Sequence, residues 1–199
     1  MTANWAMFLD RDGVIVEEVN YLDHLSQLRL IPRAAQAIRC LNERSIPVIV
    51  VTNQAGVARG YYPESRVAQI HAALNDMLQP QQARIDRFYY CPHHPAAGQM
   101  PYRVACECRK PNPGMLLRAA SDCKLDLSSC WLVGDKVSDL QAGQRAGCHN
   151  ILVLTGYGAT VWQRWRLDCQ PDHVATDLFE AVQYALDRSD PERAAHQVS

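Results

Sequence analysis

Asp10-Arg11-Asp12-Gly13 places two carboxylates two positions apart. Further along stand Thr52-Asn53-Gln54, Arg109-Lys110-Pro111, and Gly134-Asp135-Lys136 with Asp139 one helical turn on. Paired carboxylates joined by a third make a hard oxygen site of the kind Mg2+ prefers. One of the pair can attack phosphorus to give an aspartyl-phosphate while the other handles the leaving-group proton. The Thr52 hydroxyl and the backbone amides after it can bond phosphoryl oxygens, and Lys110 can neutralise charge that develops in transfer. An Asp-x-Asp by itself usually caps a helix or faces water, and a Thr after a strand usually caps a turn. The signal lies in four such elements occurring in this order.

A second cluster has metal-ligand spacing. Cys91-Pro92-His93 and Cys106-Glu107-Cys108 offer C-x-H and C-x-C separated by 12 residues. Three thiolates and one imidazole form a closed tetrahedral set, the arrangement of structural rather than catalytic zinc. His94 is an alternative imidazole, but the C-x-H spacing favours His93. The stretch 91–113 has no hydrophobic periodicity and holds five prolines, and a loop that long needs a source of order such as a Zn2+ clip. Arg109 and Lys110 follow the last ligand directly, so the clip would also fix two cations. Cys40, Cys123, Cys130, Cys148 and Cys169 are scattered singly and read as small buried hydrophobes.

These residues need elements to position them. The hydrophobic pattern predicts strands over 5–9, 47–51, 85–90, 131–134 and 150–154. Helices are predicted over 33–44, 63–78, 114–124, 138–146 and 178–186, with Pro32 and Pro63 as start signals. Strand-helix alternation means an α/β fold around a central parallel sheet flanked by helices. Ligands in such sheets bind at the carboxyl ends of strands, which is where each chemical segment falls. Residues 1–188 read as one domain and 189–199 as a polar tail.

Composition bounds the partners. The 199 residues carry 20 Lys+Arg against 21 Asp+Glu, a net charge of -1, and 48% are hydrophobic. That length can bury a sizeable core without disulfide staples. The balance gives no general pull toward nucleic acid or anionic membrane, so any phosphate must be held locally. No apolar run reaches a membrane span, and the N-terminus lacks a basic signal-peptide start, so a cytoplasmic address is expected. Trp162, Trp165 and Arg166 form a short aromatic-basic patch that reads as packing. His24, His71, His149, His173 and His196 have no usable partner spacing.

Asp10-Arg11-Asp12-Gly13, Thr52, Lys110 and Gly134-Asp135-x-x-x-Asp139 resemble the four motifs of the haloacid dehalogenase (HAD) superfamily of phosphatases. The resemblance implies a Rossmann-like fold with Asp10 as nucleophile and Mg2+ ligand. It makes Asp12 the general acid/base, binding Mg2+ through its carbonyl. Thr52 and Lys110 would hold the phosphoryl group, and Asp135 would be the third metal anchor, with the role of Asp139 open. With the zinc spacing added, FLDRDG, VTNQAGVARG, YYCPHHP, CxCRKPNPGM and VGDKxxD resemble the heptose-bisphosphate phosphatase family within that superfamily, over about 8–156. That resemblance implies a small-molecule sugar bisphosphate as substrate, contacted by Arg11, by Glu18, Val19, Asn20 and Tyr21, by Asn53, Gln54 and Ala55, and by Arg109 and Lys136. It also implies a role in making nucleotide-activated heptose. Val16 departs from the family, standing where many relatives carry Asn.

Larger members insert a cap domain over the site. Here about 40 residues separate Asp12 from Thr52, and one helix, one strand and the zinc loop fill the interval to Lys110, so no separate cap fits. A monomer with an open site is expected. Histidinol-phosphate phosphatases share the motifs and the zinc clip and are the nearest rival reading. A polynucleotide 3′-phosphatase is disfavoured by the neutral charge and the absence of a kinase domain. A non-catalytic zinc-stabilised binding module would need neither Asp10 nor Asp12, yet both are present.

Overall fold

A run such as Val48-Ile49-Val50-Val51 can be satisfied only by a strand covered on both faces. The computed structural model, which describes residues 4–165 and 169–189, builds such a sheet. Its strands are β1 (Met7–Leu9), β2 (Val48–Asn53), β3 (Arg87–Cys91), β4 (Trp131–Gly134), β5 (His149–Val153) and β6 (His173–Ala175). The helices are α1 (Ala34–Glu43), α2 (Glu64–Leu78), α3 (Gly114–Cys123), α4 (Val137–Ala146), α5 (Gly158–Gln163) and α6 (Leu178–Ser189). All pairings are parallel, in the order β3-β2-β1-β4-β5-β6.

The period-two alternation of the strands divides the core. Met7, Leu9, Val48, Val50, Val133 and Ile151 pack with Ile38 and Leu41 of α1, Ile70 and Leu74 of α2 and Val182 of α6. Phe8, Ile49, Val51 and Leu132 pack on the opposite face with Met115 and Leu116 of α3 and Ala142 of α4. Each fully buried Leu or Ile contributes about 1.5–3 kcal/mol of transfer free energy, so these layers fix the sheet rigidly. The chain winds outward from β1 to β3, then returns to place β4 on the other side of β1. The carboxyl ends of β1, β2 and β4 therefore surround the point where the strand order reverses, the standard ligand crevice of such sheets.

Five strands and five helices lie where the hydrophobic pattern puts them, with ends shifted by up to three residues. β6 and α5 do not follow from the pattern. His173-Val174-Ala175 is too short to show a period, and Gly158–Gln163 carries no apolar stripe. β2 and β3 also run past their apolar residues, to Asn53 and Cys91, because the parallel register carries pairing on to Asn53 opposite Cys91. No inserted cap interrupts the described residues. Between β1 and β2 lie only a loop, a single 3-10 turn and α1. Val16 is fully buried and bridges Asp12 and Leu30. Residues 190–199 of the polar tail, and Arg166 of the aromatic-basic patch, lie outside the described residues.

Candidate active site

β1 ends at Leu9 and delivers Asp10 to the crevice, where its side chain is nearly buried. Its backbone N–H donates to Val133 O of β4 at 3.0 Å, which locks the turn to the neighbouring strand. Lys110 Nζ lies 3.1 Å from Asp10 Oδ1 and 2.7 Å from Asp139 Oδ1, and donates to Val51 O at 2.6 Å. Lys136 Nζ lies 4.0 Å from Asp10 Oδ2 and 3.3 Å from Asp135 Oδ1. Burial alone would raise the Asp10 pKa, but these two ammonium groups outweigh it and hold the carboxyl below its ordinary range. A nucleophile must be ionised, so this is the direction catalysis by Asp10 requires. Lys110 is the converse case: burial opposes its charge, and Asp10 and Asp139 more than restore it.

Asp12 faces the cavity from the next turn. Arg11 Nε donates to Asp12 Oδ1 at 3.0 Å and an Arg11 terminal nitrogen to Oδ2 at 2.9 Å, while Gln54 Nε2 donates to Oδ2 at 3.0 Å. Gln54 Nε2 also donates to Thr52 Oγ1, and Gln54 Oε1 accepts from Arg11 and from the Tyr62 hydroxyl. One buried amide thus joins both sequence motifs.

Asp135 and Asp139 flank Asp10 from the β4–α4 turn. Asp139 Oδ2 accepts from the Lys136 backbone N–H at 3.0 Å, capping α4, while its other oxygen holds Lys110. That pairing gives Asp139 a positional role the sequence left open. Asp135 is fully buried, with Oδ2 accepting from the Tyr157 N–H at 2.9 Å. Burial and the adjacent Asp10 push its pKa up to about 7. Glycine is required around it: a Cβ on Gly13, whose φ is +88°, would meet Asp135 Oδ2 at 2.2 Å, and one on Gly156 would meet it at 2.3 Å.

The donor set suits a divalent cation. One carboxylate oxygen each from Asp10, Asp135 and Asp139 lies within 4.8 Å of the others, all three residues buried. Asp135 Oδ1 is buried and accepts no hydrogen bond, with the Lys136 ammonium 3.3 Å away. Burying three carboxylates side by side is costly without a compensating charge, and hard oxygen ligands select Mg2+ or a similar ion.

The cysteine cluster also assembles. Cys91 and Cys106 Sγ atoms are 3.5 Å apart and those of Cys106 and Cys108 3.2 Å, while His93 Nδ1 lies 3.8 Å from Cys91 and 3.5 Å from Cys108. A tetrahedral zinc would set these edges at about 3.5–3.8 Å, given Zn–S near 2.3 Å and Zn–N near 2.0 Å. The cysteines are free thiols. His94 stays outside the cluster, accepting the backbone N–H groups of Ala96 and Ala97. The loop then reaches the active site through two links. Arg109 donates to His93 O at 3.0 Å, and Asn53 and Lys110 exchange a reciprocal pair of side chain–backbone hydrogen bonds.

These groups open into a cavity of about 320 Å³. Among the residues expected to touch substrate, Glu18, Asn20, Tyr21, Asn53, Gln54, Ala55, Arg109 and Lys136 line it, as do Asp10, Asp12, Thr52 and Lys110. Two do not. Arg11 is fully buried beneath Asp12, with Nε and one terminal nitrogen bonded to Asp12 and Gln54, so it braces the site from below. The Val19 side chain packs against the hydrophobic core. The walls also include Leu22, Tyr62, Ser138 and Tyr157, which motif spacing did not reveal. For Tyr157 a cue existed, since it stands four residues past the end of β5, beyond the carboxyl end of a strand.

Comparison with known proteins bears on this geometry. A family profile described as Haloacid dehalogenase-like hydrolase matches residues 7–88, and a second HAD-hydrolase-like profile matches 107–181. A D-glycero-D-manno-heptose-1,7-bisphosphate 7-phosphatase from Thermosynechococcus vestitus is 42% identical over 184 residues, 90% of this chain and 94% of that protein. The chain belongs to the heptose-bisphosphate phosphatase family of the HAD superfamily. A second such phosphatase of this family, from Escherichia coli and named for the beta anomer, is 38% identical over 152 residues, covering 76% of this chain and 80% of that one. The D,D-heptose 1,7-bisphosphate phosphatase of B. bronchiseptica, crystallised with magnesium and phosphate, superposes with a TM-score of 0.81 at 32% identity, covering 92% of this chain and 99% of that chain. Membership of the heptose-bisphosphate phosphatases makes the protein a phosphoric monoester hydrolase. No helix among the described residues is long and apolar enough to cross a membrane.

Proposed function

We propose that the protein hydrolyses the 7-phosphate of D-glycero-D-manno-heptose 1,7-bisphosphate and leaves heptose 1-phosphate. The observation that carries the reading is Asp10 held ionised between two lysines, with the oriented carboxyl group of Asp12 beside it in an open cavity. Family membership supplies the substrate class.

The chain's own groups account for both half-reactions. The Asp10 carboxylate attacks the 7-phosphorus, the bond from phosphorus to the sugar oxygen breaks, and Asp12 gives that oxygen its proton. Asp12, now a carboxylate, takes a proton from water, and the resulting hydroxide attacks phosphorus. Breaking the bond to Asp10 releases inorganic phosphate and restores both carboxyl groups. Thr52 and Lys110 hold the phosphoryl oxygens through the transfer. Mg2+ would be held by Asp10, Asp135 and the Asp12 carbonyl, where it offsets the repulsion between carboxylate and phosphate dianion. Zn2+ on Cys91, His93, Cys106 and Cys108 would be structural, fixing Arg109 and Lys110.

The cavity of about 320 Å³ fits a small-molecule substrate, and the protein would act on it as a monomer. Residues 1–188 would form a single domain, working in the cytoplasm to supply nucleotide-activated heptose for lipopolysaccharide core or other surface glycans. The test is phosphate release with Mg2+ from both anomers of heptose 1,7-bisphosphate, fructose 1,6-bisphosphate, histidinol phosphate and an aryl phosphate. The expected result is the highest kcat/KM on a heptose bisphosphate. Preference for histidinol phosphate would replace the substrate and keep the residue roles, and no release from any compound would overturn the catalytic reading.

A further inference from the structure

No cap is inserted among the described residues, and the segment 17–23, which has no regular secondary structure, supplies Glu18, Asn20, Tyr21 and Leu22 to the cavity wall. Four side chains fasten that segment in a closed circuit. The Tyr157 hydroxyl donates to Asn20 Oδ1 at 2.9 Å, and the Asn20 N–H donates to Glu18 Oε1 at 2.6 Å. Glu18 Oε2 pairs with Lys136 Nζ at 2.9 Å, and that ammonium lies 5.0 Å from the centre of the Tyr157 ring. Asn20 sits at φ +68°, in the left-handed region that asparagine enters more readily than most non-glycine residues. The base of the circuit is anchored in the catalytic floor. The Tyr157 N–H donates to Asp135, and Thr155 Oγ1 donates to Gly13 O at 2.6 Å.

From this circuit we propose that Tyr157 is a positioning residue that latches the 18–21 segment in place as a wall of the cavity. The inference rests on the sugar-bisphosphate reading above. A substrate long enough to reach from Asp10 to Asn20 and Tyr21 gains from a segment already ordered, because it does not bear the entropy of arranging it. A compact aryl phosphate, held mainly by its phosphoryl group, gains little. Tyr157 therefore acts on KM and on discrimination between substrates, through Asn20, and not on the chemical step.

Tyr157→Phe removes the hydroxyl and keeps the ring over Lys136. One hydrogen bond to an exposed loop corresponds to a rise of about three- to tenfold in KM for heptose 1,7-bisphosphate. The change should fall on KM more than on kcat, and the preference over p-nitrophenyl phosphate should narrow by a similar factor. Asn20→Gly breaks the same bond from the other side in a residue suited to φ +68°, and adding Tyr157→Phe to it should cost nothing more. Hydrogen exchange gives a readout that needs no turnover: the amides of Asn20 and Tyr21 should exchange faster in Tyr157→Phe. Equal losses on both substrates, an additive double variant, or unaltered exchange at 20–21 would overturn the latch. Wild-type protein that fails on heptose bisphosphate while its 20–21 amides still respond to Tyr157→Phe would sink the substrate and spare the latch.

Discussion

Asp10 and Asp12 are alike in chemistry and divided in environment, and the proposed division of work between them follows that difference. Asp10 faces two lysines, while Asp12 is held by one guanidinium and one amide. Asp10→Asn keeps the shape and removes the nucleophile, so turnover should fall by at least about a thousandfold while circular dichroism still reports a cooperative fold. Undiminished phosphate release would dismiss Asp10 as nucleophile. Arg11 offers a finer test. Arg11→Met would free Asp12 to rotate, so kcat should fall about 10- to 100-fold with KM little altered. Arg109→Met, on the cavity wall, should raise KM instead; the same steady-state assay reads both. That Asp10, Asp12, Thr52, Lys110 and Asp135 meet at one sheet edge was legible in the sequence, because the residue types recur after predicted strands or ahead of a helix. The direction in which Arg11 points was not legible. A cation between two catalytic carboxylates reads equally well as a substrate contact, and only the buried Gln54 amide behind it decides.

The elements explain how a loop without periodicity can carry Arg109 and Lys110 to the cavity. The metal-ligand spacing of the Cys/His cluster was plain in the sequence, but the links from that loop to the cavity were not. Asn53 at the end of β2 exchanges two hydrogen bonds with the Lys110 backbone, and Arg109 closes on His93 O. Both links are long-range contacts that spacing does not encode. Removing zinc with a chelator should accordingly quicken hydrogen exchange through 92–108 and raise KM several-fold, about 1 kcal/mol of lost positioning. Metal analysis must find the zinc gone; full substrate affinity in that state would separate the clip from the site. β6 and α5 escaped the sequence reading for a related reason. β6 exists because β5 offers it an edge, with Ile151, Leu152 and Val153 pairing His173, Val174 and Ala175. Its own three residues would not hold a strand in isolation. α5 follows the turn that packs Gly156 over Asp135, so its place is set by the site and not by an apolar face.

At the scale of the whole molecule, a helix packed against the sheet must bury whatever polar groups its inner face carries, and His71 is one of them. It lies on α2 with its ring stacked 4.3 Å from Phe88 of β3, and its Nε2 finds no hydrogen-bond partner among the described residues. Burial, aided by the nearby Arg11 guanidinium, pushes its pKa down to about 3. In the unfolded chain the same imidazole takes a proton at about pH 6.5. Folding therefore keeps this histidine neutral, and its contribution is complete above about pH 6.5 and erodes as pH falls toward 3, by at most about 1.4 kcal/mol per pH unit. His71→Leu removes the linkage without changing the carboxylates that also titrate in acid. Urea unfolding at pH 7.0, 6.0 and 5.0 should show the wild type losing stability faster than the variant, the gap opening by about 1 kcal/mol for each unit below pH 6. Parallel pH dependences would mean that water reaches the ring and that His71 titrates normally in the fold. The same comparison ties the core to the chemistry, because the Arg11 that depresses His71 is the one that orients Asp12. Arg11→Met should raise the His71 pKa, read directly from its imidazole proton resonances, in the same variant that loses kcat.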